Sequence, residues 1–473
     1  MTKSLVHPYI PNSVPAIREA MLKELQVDSI EEIYQSIIPD DLLYKERLHL
    51  PEPILSEYEL KRHVQSIMDR NITAEEYVSF LGAGCYRHQV PAVCDELNSR
   101  GEFLTAYCGD TYSDHGKMQA IFEYASMMGE LLDADVVTYT CYDGGQAVTS
   151  SLGTALRVQQ AAGEKRDVLL VPETMNPEIY SQLHEYWRGK ATVIKVKCDR
   201  AHGVMDLKDL QTKLKSNAAA AVLYENPSYL GFLETQAEEI ASLAHEAGAL
   251  VVASSDPACL GVMESPLNLG ADLVCGDIQP LGMHMQFGGG QAGYIACANR
   301  QDFVAQLPTY LYGITRTGKD GTYGWGRALN SRCSHGSREK ANEYFGTETG
   351  LWGITAGIYL ASMGPKGMEE LGNAILVNLD YLVKELNKLP NVTANVFGGY
   401  NFQEAVVNFD AAGKTVKEIN KALLEAGIFG GKDISGDFPW LGESALYCVS
   451  ELTTAGEIHK LTEALSTIVR GCC

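Results

Sequence analysis

From residue 136 to residue 297 the chain repeatedly sets a short, continuous apolar run beside an amphipathic helical pattern, and no other feature constrains the fold as tightly. The runs are Val136 to Thr140, Asp167 to Val171, Ala191 to Val196, Ala219 to Tyr224 and Leu250 to Ser254. Helical patterns fall between them: one to about Ala162, one after Asn176-Pro177, then Leu207 to Lys215 and Thr235 to Ala247. Runs that lack period-2 alternation are buried on both faces, which requires a mostly parallel sheet covered by helices on each side. The expected class is therefore α/β. Such sheets bind ligands beyond the carboxyl ends of their strands, and Asp143 and Asp256 both stand at strand ends.

The stretch Val251 to Tyr294 gives that edge a chemistry. It holds a buried strand ending in Asp256, a second strand entered through Gly270-Ala271-Asp272, and a glycine run at Gly288-Gly289-Gly290. In enzymes that use pyridoxal phosphate, an aspartate so placed sits under the pyridinium nitrogen and keeps the ring an electron sink. The turn Tyr142-Asp143-Gly144-Gly145, opening a helix, offers free amides and the positive end of a helix dipole, as a phosphate requires. A capped turn with nothing bound is the equal alternative. The expected lining of a cofactor pocket is Asp143, Gly144, Gly145, Asp256 and Gln279. A lysine should follow on the next strand to carry the cofactor as a Schiff base. None occurs between Val251 and Tyr294, where Gly276-Asp277-Ile278-Gln279-Pro280-Leu281-Gly282 occupies the place. The catalytic residues are thus left unknown. A self-sufficient enzyme using a lysine elsewhere, such as Lys117, is the rival reading, and a noncatalytic scaffold that keeps the fold is another.

The remaining chain divides into an N-terminal arm, residues 1–65, a large domain, 66–365, and a small C-terminal α+β domain, 366–473. The arm is broken by Pro8, Pro11, Pro39, Pro51 and Pro53 and cannot close a core alone, so it is expected to wrap a neighbour. Phe80 to Pro91 reads as a Gly-rich strand-to-helix turn, with a ligand loop as the alternative. Asp110, Asp114 and His115 read as a solvated loop rather than metal ligands, and no metal is expected. Arg316, Arg327, Arg332, His335 and Arg338 form a basic cluster taken as a salt-bridged loop, with contact to an acidic partner or a substrate carboxylate as the alternative. A net charge of −22 disfavours nucleic acid and anionic lipid as partners. The N-terminal segment and the lack of a long apolar run lead to the expectation of a cytoplasmic protein away from membranes. The twelve cysteines carry no CxxC pair and are expected as reduced, mostly buried thiols.

These residues together support a resemblance. Tyr9-Ile10-Pro11-Asn12, Leu50-Pro51-Glu52-Pro53, Phe80-Leu81-Gly82-Ala83-Gly84 with Tyr86 and His88, and Thr105-Ala106-Tyr107 begin it. Gln119 to Glu123, Tyr142-Asp143-Gly144, Gly270-Ala271-Asp272, Gln279-Pro280-Leu281-Gly282 and Arg338-Glu339-Lys340-Ala341 continue it. From end to end the chain resembles the family of subunit 1 of the two-subunit glycine dehydrogenase (decarboxylating), the P-protein of the glycine cleavage system. The resemblance implies a PLP-dependent transferase-like (fold type I) large domain. It also implies an α2β2 heterotetramer whose lysine and pyridoxal phosphate belong to subunit 2. Glycine would lose CO2 there, and its aminomethyl group would pass to the lipoyl group of H-protein. The chain departs from the family at Cys108 to Lys117 and at Asn342 to Thr349. A diverged subunit acting on another amine is the alternative those departures keep open.

Overall fold

A computed structural model of the protein describes residues 6–7, 9–44, 46, 48–103, 115–342 and 349–470. The chain forms two units, Met1–Ile72 and Thr73–Cys473. The first boundary thus falls seven residues beyond the expected end of the arm. The expected loop Cys108 to Lys117 lies outside the described residues up to Asp114, as do 343–348 of the second departing segment and the Cys472-Cys473 tail.

The first unit holds a short 3-10 turn, Pro11–Ser13, and three α-helices, Pro15–Glu24, Ile30–Ile37 and Glu57–Met68. Pro15 opens the first, where its missing N–H costs nothing, and the Ser56 side chain caps the third by accepting the Glu59 N–H. No residue of the three helices is buried. Ile30, Ile33, Tyr34 and Ile37 nevertheless fall at i, i+3, i+4 and i+7, an apolar stripe on one face.

The second unit is built on a seven-stranded sheet: β1 Val136–Val137, β2 Val168–Pro172, β3 Thr192–Val196, β4 Ala219–Glu225, β5 Leu250–Ser254, β6 Leu273–Asp277 and β7 Gly293–Cys297. Its order is β1-β7-β6-β5-β4-β2-β3. β2 to β6 pair in parallel, whereas β7 runs antiparallel to both β6 and β1. Successive side chains of one strand feed two separate cores. Leu170, Val222, Val251, Val274 and Tyr294 join one cluster, and Leu169, Leu223, Val252, Cys275 and Ile295 join the other. Both faces are apolar, which is why the strands read as unbroken runs. The nine cysteines among the described residues are free thiols, eight of them buried.

A helical run from Gly350 to Leu386 leads out of this layer and breaks at Gly364, whose φ of 60° is left-handed, with Pro365 starting the next segment. Beyond it, a four-stranded antiparallel sheet takes the order Thr393–Ala394, Glu404–Asn408, Ser444–Cys448, Lys432–Asp433. The helices Val416–Glu425 and Ala455–Val469 cover it, each opened by a reciprocal capping box, Thr415 with Glu418 and Thr454 with Glu457. Chain from the start of the second unit joins this core: Val78–Ser79 pairs with Ile428–Phe429, and Phe80 is fully buried among its side chains. Among the described residues no helix is long and apolar enough to cross a membrane.

The basic stretch expected as a loop contains a hairpin, Leu311–Arg316 with Tyr323–Ala328. Its arginines serve different neighbours. Arg327 lies 4.6 Å over the Tyr310 ring, and Arg332 donates to the carbonyls of Leu307 and Thr309. Arg327 and Arg332 are thus held by an aromatic ring and by backbone carbonyls.

Candidate functional site

The carboxyl ends of β4, β5 and β6 face a cavity of about 410 Å3. Two further pieces of chain close it: Ala83 to Tyr86, held by the strand at Val78–Ser79, and Phe402 to Glu404, which enters the four-stranded sheet. Asp143, Gly144 and Gly145 of one turn line it together with Asp256, more than a hundred positions further along the chain. Gln279 does not belong to the lining. It is fully buried, with its amide accepting the Tyr86 N–H at 2.9 Å and donating to the carbonyls of Tyr86 and Met283. Its work is to pin the Ala83–Tyr86 segment to the loop after β6.

Asp143 ends the turn after β1 and caps the helix Gly144–Ala161, accepting the Gln146 N–H at 2.6 Å. Gly144 follows because β6 presses against it: a Cβ there would meet Asp277 Cβ at 3.0 Å and the Asp277 nitrogen at 3.2 Å. The Gly144 N–H donates to Asp277 Oδ2 at 2.8 Å. The other Asp277 oxygen accepts the Gln279 N–H at 2.9 Å. Asp256 begins a short 3-10 turn and accepts the Ala258 N–H at 2.8 Å.

Sequence reasoning missed three of the side chains that define the cavity, Glu225, Glu404 and Tyr86. Glu225 is the last residue of β4 and accepts the Tyr229 N–H at 3.1 Å. Glu404 accepts the Ala83 N–H at 2.6 Å and the Tyr86 hydroxyl at 3.0 Å. A glutamate ending an otherwise apolar strand was a usable signal for Glu225. No local signal existed for Glu404 and Tyr86, which meet across 318 positions.

The cavity is consequently acidic. Asp143, Glu225, Asp256, Asp277 and Glu404 line it, and among the described lining residues there is no lysine, arginine or histidine. Burial disfavours their charged forms. It pushes Asp277 up to about 7, with the Gln279 and Gly144 N–H groups pulling back and the Asp143 charge adding to the rise. Burial likewise raises Glu225 to about 7 against the Tyr229 and Asn176 N–H groups. Glu404 also reaches about 7, through burial opposed by Ala83 and Tyr86 and reinforced by Asp256. Asp256 itself is raised by burial, which the Ala258 N–H and nearby His88 oppose. No group of histidines, cysteines and carboxylates among the described residues is arranged to hold a metal.

Pyridoxal phosphate would ask three things of this cavity: a lysine for the aldehyde, an acid beneath the ring nitrogen, and free donors for the phosphate. Asp256, in the lining after β5, is an acid of the kind the second requires. The first is unmet among the described lining residues, where Asp277 stands at the end of β6 and no lysine occurs. For the third, the first amide of the helix is already taken, bonded to Asp277. The residues present do not fit the cofactor.

Fold and cavity define a class all the same, a fold type I, PLP-dependent-transferase-like α/β protein. A crystal structure described as glycine decarboxylase (P-protein) of the glycine cleavage system, in inhibitor-bound form, superposes with a TM-score of 0.82 at 29% identity, covering 98% of this chain and 100% of that one. A sphingosine-1-phosphate lyase from Burkholderia pseudomallei shares the fold, with a TM-score of 0.63 at 13% identity over 92% of this chain and 95% of that one. The family model described as Glycine cleavage system P-protein matches residues 7–463, so the chain belongs to that family. Among its relatives, a probable glycine dehydrogenase (decarboxylating) subunit 1 from Pyrococcus horikoshii is 38% identical over 98% of this chain and 99% of its own length. A protein of the same name from Geobacillus kaustophilus is 34% identical over 98% and 99%.

Proposed function

We infer that this chain is the cofactor-free subunit of a heteromeric glycine dehydrogenase (decarboxylating). One observation carries the reading: a P-protein-family cavity with the cofactor's acid in place, no lysine, and a carboxylate on the amide where a phosphate would sit. Relatives named subunit 1 support a second subunit. In this reading the partner, subunit 2, carries pyridoxal phosphate on its own lysine, and the assembly is a cytoplasmic α2β2 heterotetramer. The complex releases CO2 from glycine and hands the aminomethyl group to the lipoyl group of H-protein. This chain supplies the arm and the walls of the assembly, and its own cavity takes no part in the chemistry.

Borohydride reduction of the co-expressed complex, followed by peptide mass spectrometry, tests the assignment. The expected result is a pyridoxyl-lysine on the partner alone, with exchange of labelled bicarbonate into glycine only when both chains are present. A stoichiometric pyridoxyl adduct on any lysine of this chain, Lys117 included, overturns it.

A further inference from the structure

If the partner carries the cofactor, something must keep this chain's own cavity from taking the same molecule. The absence of a lysine is not sufficient, because ring and phosphate contacts alone hold such cofactors noncovalently, and the acid for the ring nitrogen is present in Asp256. Resting on the assignment of the cofactor to subunit 2, we propose that Asp277 is a built-in substitute for the phosphate, a carboxyl group seated on the first amide of the helix Gly144–Ala161 that closes this cavity to phosphate-bearing ligands.

Three observations meet on this residue. First, the N-terminus of an 18-residue helix is a ready anion site, and here its first amide donates to Asp277 Oδ2 at 2.8 Å. Second, Asp277 is not free to move aside. Its other oxygen accepts the Gln279 N–H at 2.9 Å and lies 3.4 Å from the Ala292 nitrogen. Its Cβ lies 3.0 Å from where a Gly144 side chain would begin, so nothing of phosphate size passes between strand and helix. Third, the neighbour on the same turn is another acid, Asp143, already committed to the Gln146 N–H. An entering phosphate meets two carboxyl groups and no cation among the described lining residues. A helix cap alone would account for Asp143. It does not account for a second carboxylate, delivered from β6, on the amide just after it.

Asp277 is thus a specificity residue acting by exclusion. With one phosphate site per pair of subunits instead of two, the cofactor partitions wholly to the chain that has the lysine.

Titration calorimetry of the purified full chain with pyridoxine and with pyridoxine 5′-phosphate isolates the phosphate contribution, because neither compound forms a Schiff base. The wild type is expected to bind the phosphate ester no tighter than the alcohol. Asp277→Asn, which keeps the shape and removes the charge, is expected to favour the ester. Asp277→Ser, which also frees the Gly144 amide, is expected to favour it by about tenfold or more. Asp256→Asn removes a carboxylate from the same cavity but not from the helix end, and should leave the ester-to-alcohol ratio unchanged. Thermal melts confirm that each variant is folded. Folded Asp277 variants that still show no preference for the ester overturn the proposal and leave the subunit assignment standing. A wild-type chain that already prefers the ester by about tenfold overturns both.

Discussion

Three carboxyl groups, Glu225, Asp277 and Glu404, are held near neutrality by burial, and each makes folding pH-dependent in a direction opposite to an ordinary ion-paired acid. A carboxyl raised in the folded state binds its proton more tightly there than in the unfolded chain. The stability it contributes is whole below the unfolded value, near 4.5 for Glu404, and is lost as pH rises through the folded value of about 7. Glu404→Gln mimics the protonated acid and still offers an oxygen to the Ala83 N–H. It should match the wild type in denaturant unfolding at about pH 5 and exceed it at about pH 8, by on the order of 2–3 kcal/mol. Equal stabilities at the higher pH would mean that Glu404 ionises freely. At this scale the sequence was legible wherever function followed chain position. Asp143 and Gly144 were singled out by the turn that opens a helix and Asp256 by its place after a strand, and all three line the cavity. Gln279 was placed among them by its position after β6, but its amide turns to the Tyr86 backbone, a contact 193 positions away. No local pattern encodes it.

The elements were legible where burial on two faces or helical periodicity leaves a mark, and less so where neither does. The sheet and its covering helices announce themselves in the apolar pattern. The hairpin Leu311–Arg316 with Tyr323–Ala328 does not: much of it is exposed, and its Gly-Trp-Gly-Arg stretch lacks alternation. Strand Lys432–Asp433 is two residues long and exists because Ser444–Cys448 pairs with it. The arm presents the reverse case, helices with an apolar stripe and no buried residue. Such stripes are stable in water only when something covers them. Deleting residues 1–65 should abolish co-purification with subunit 2 while the rest of the chain keeps its helical circular dichroism. Undiminished assembly of the truncated chain would assign the arm another role. Substituting Ile33 and Ile37 by aspartate offers a milder version, expected to weaken assembly without altering the melt of the isolated chain.

On the scale of the whole molecule, the described residues that flank the two departures from the family pattern, far apart in the sequence, share a neighbourhood. The first runs into the opening turn of the helix His115–Leu132, and the second ends just before the helix run that begins at Gly350. Met118 and Ile121 of one and Ile354 of the other pack in a single cluster with Tyr139 and Tyr312, and Gly353 and Gly357 approach Tyr124 closely. Thr349 donates to the Cys141 carbonyl at 2.6 Å, at the start of the turn that carries Asp143. Asn342 donates to the Ala305 carbonyl at 3.1 Å and to Gln306 Oε1 at 2.9 Å. Replacements anchored on adjacent helix starts should behave as one unit, because residues with shared neighbours depart from additivity by about 0.5–3 kcal/mol. Grafting the usual family sequences into Cys108 to Lys117 and Asn342 to Thr349 together is therefore expected to change which amine the complex accepts more than the sum of the two single grafts. The readouts are bicarbonate exchange into glycine and transfer to lipoylated carrier, with a panel of amines in competition. Selectivity arises where a wrong partner leaves groups unpaired, so a shift confined to kcat/KM ratios, with melting temperature nearly constant, marks these segments as part of the recognition surface. Identical ratios in native and doubly grafted complexes mark them as surface drift, and glycine then stands as the substrate without qualification.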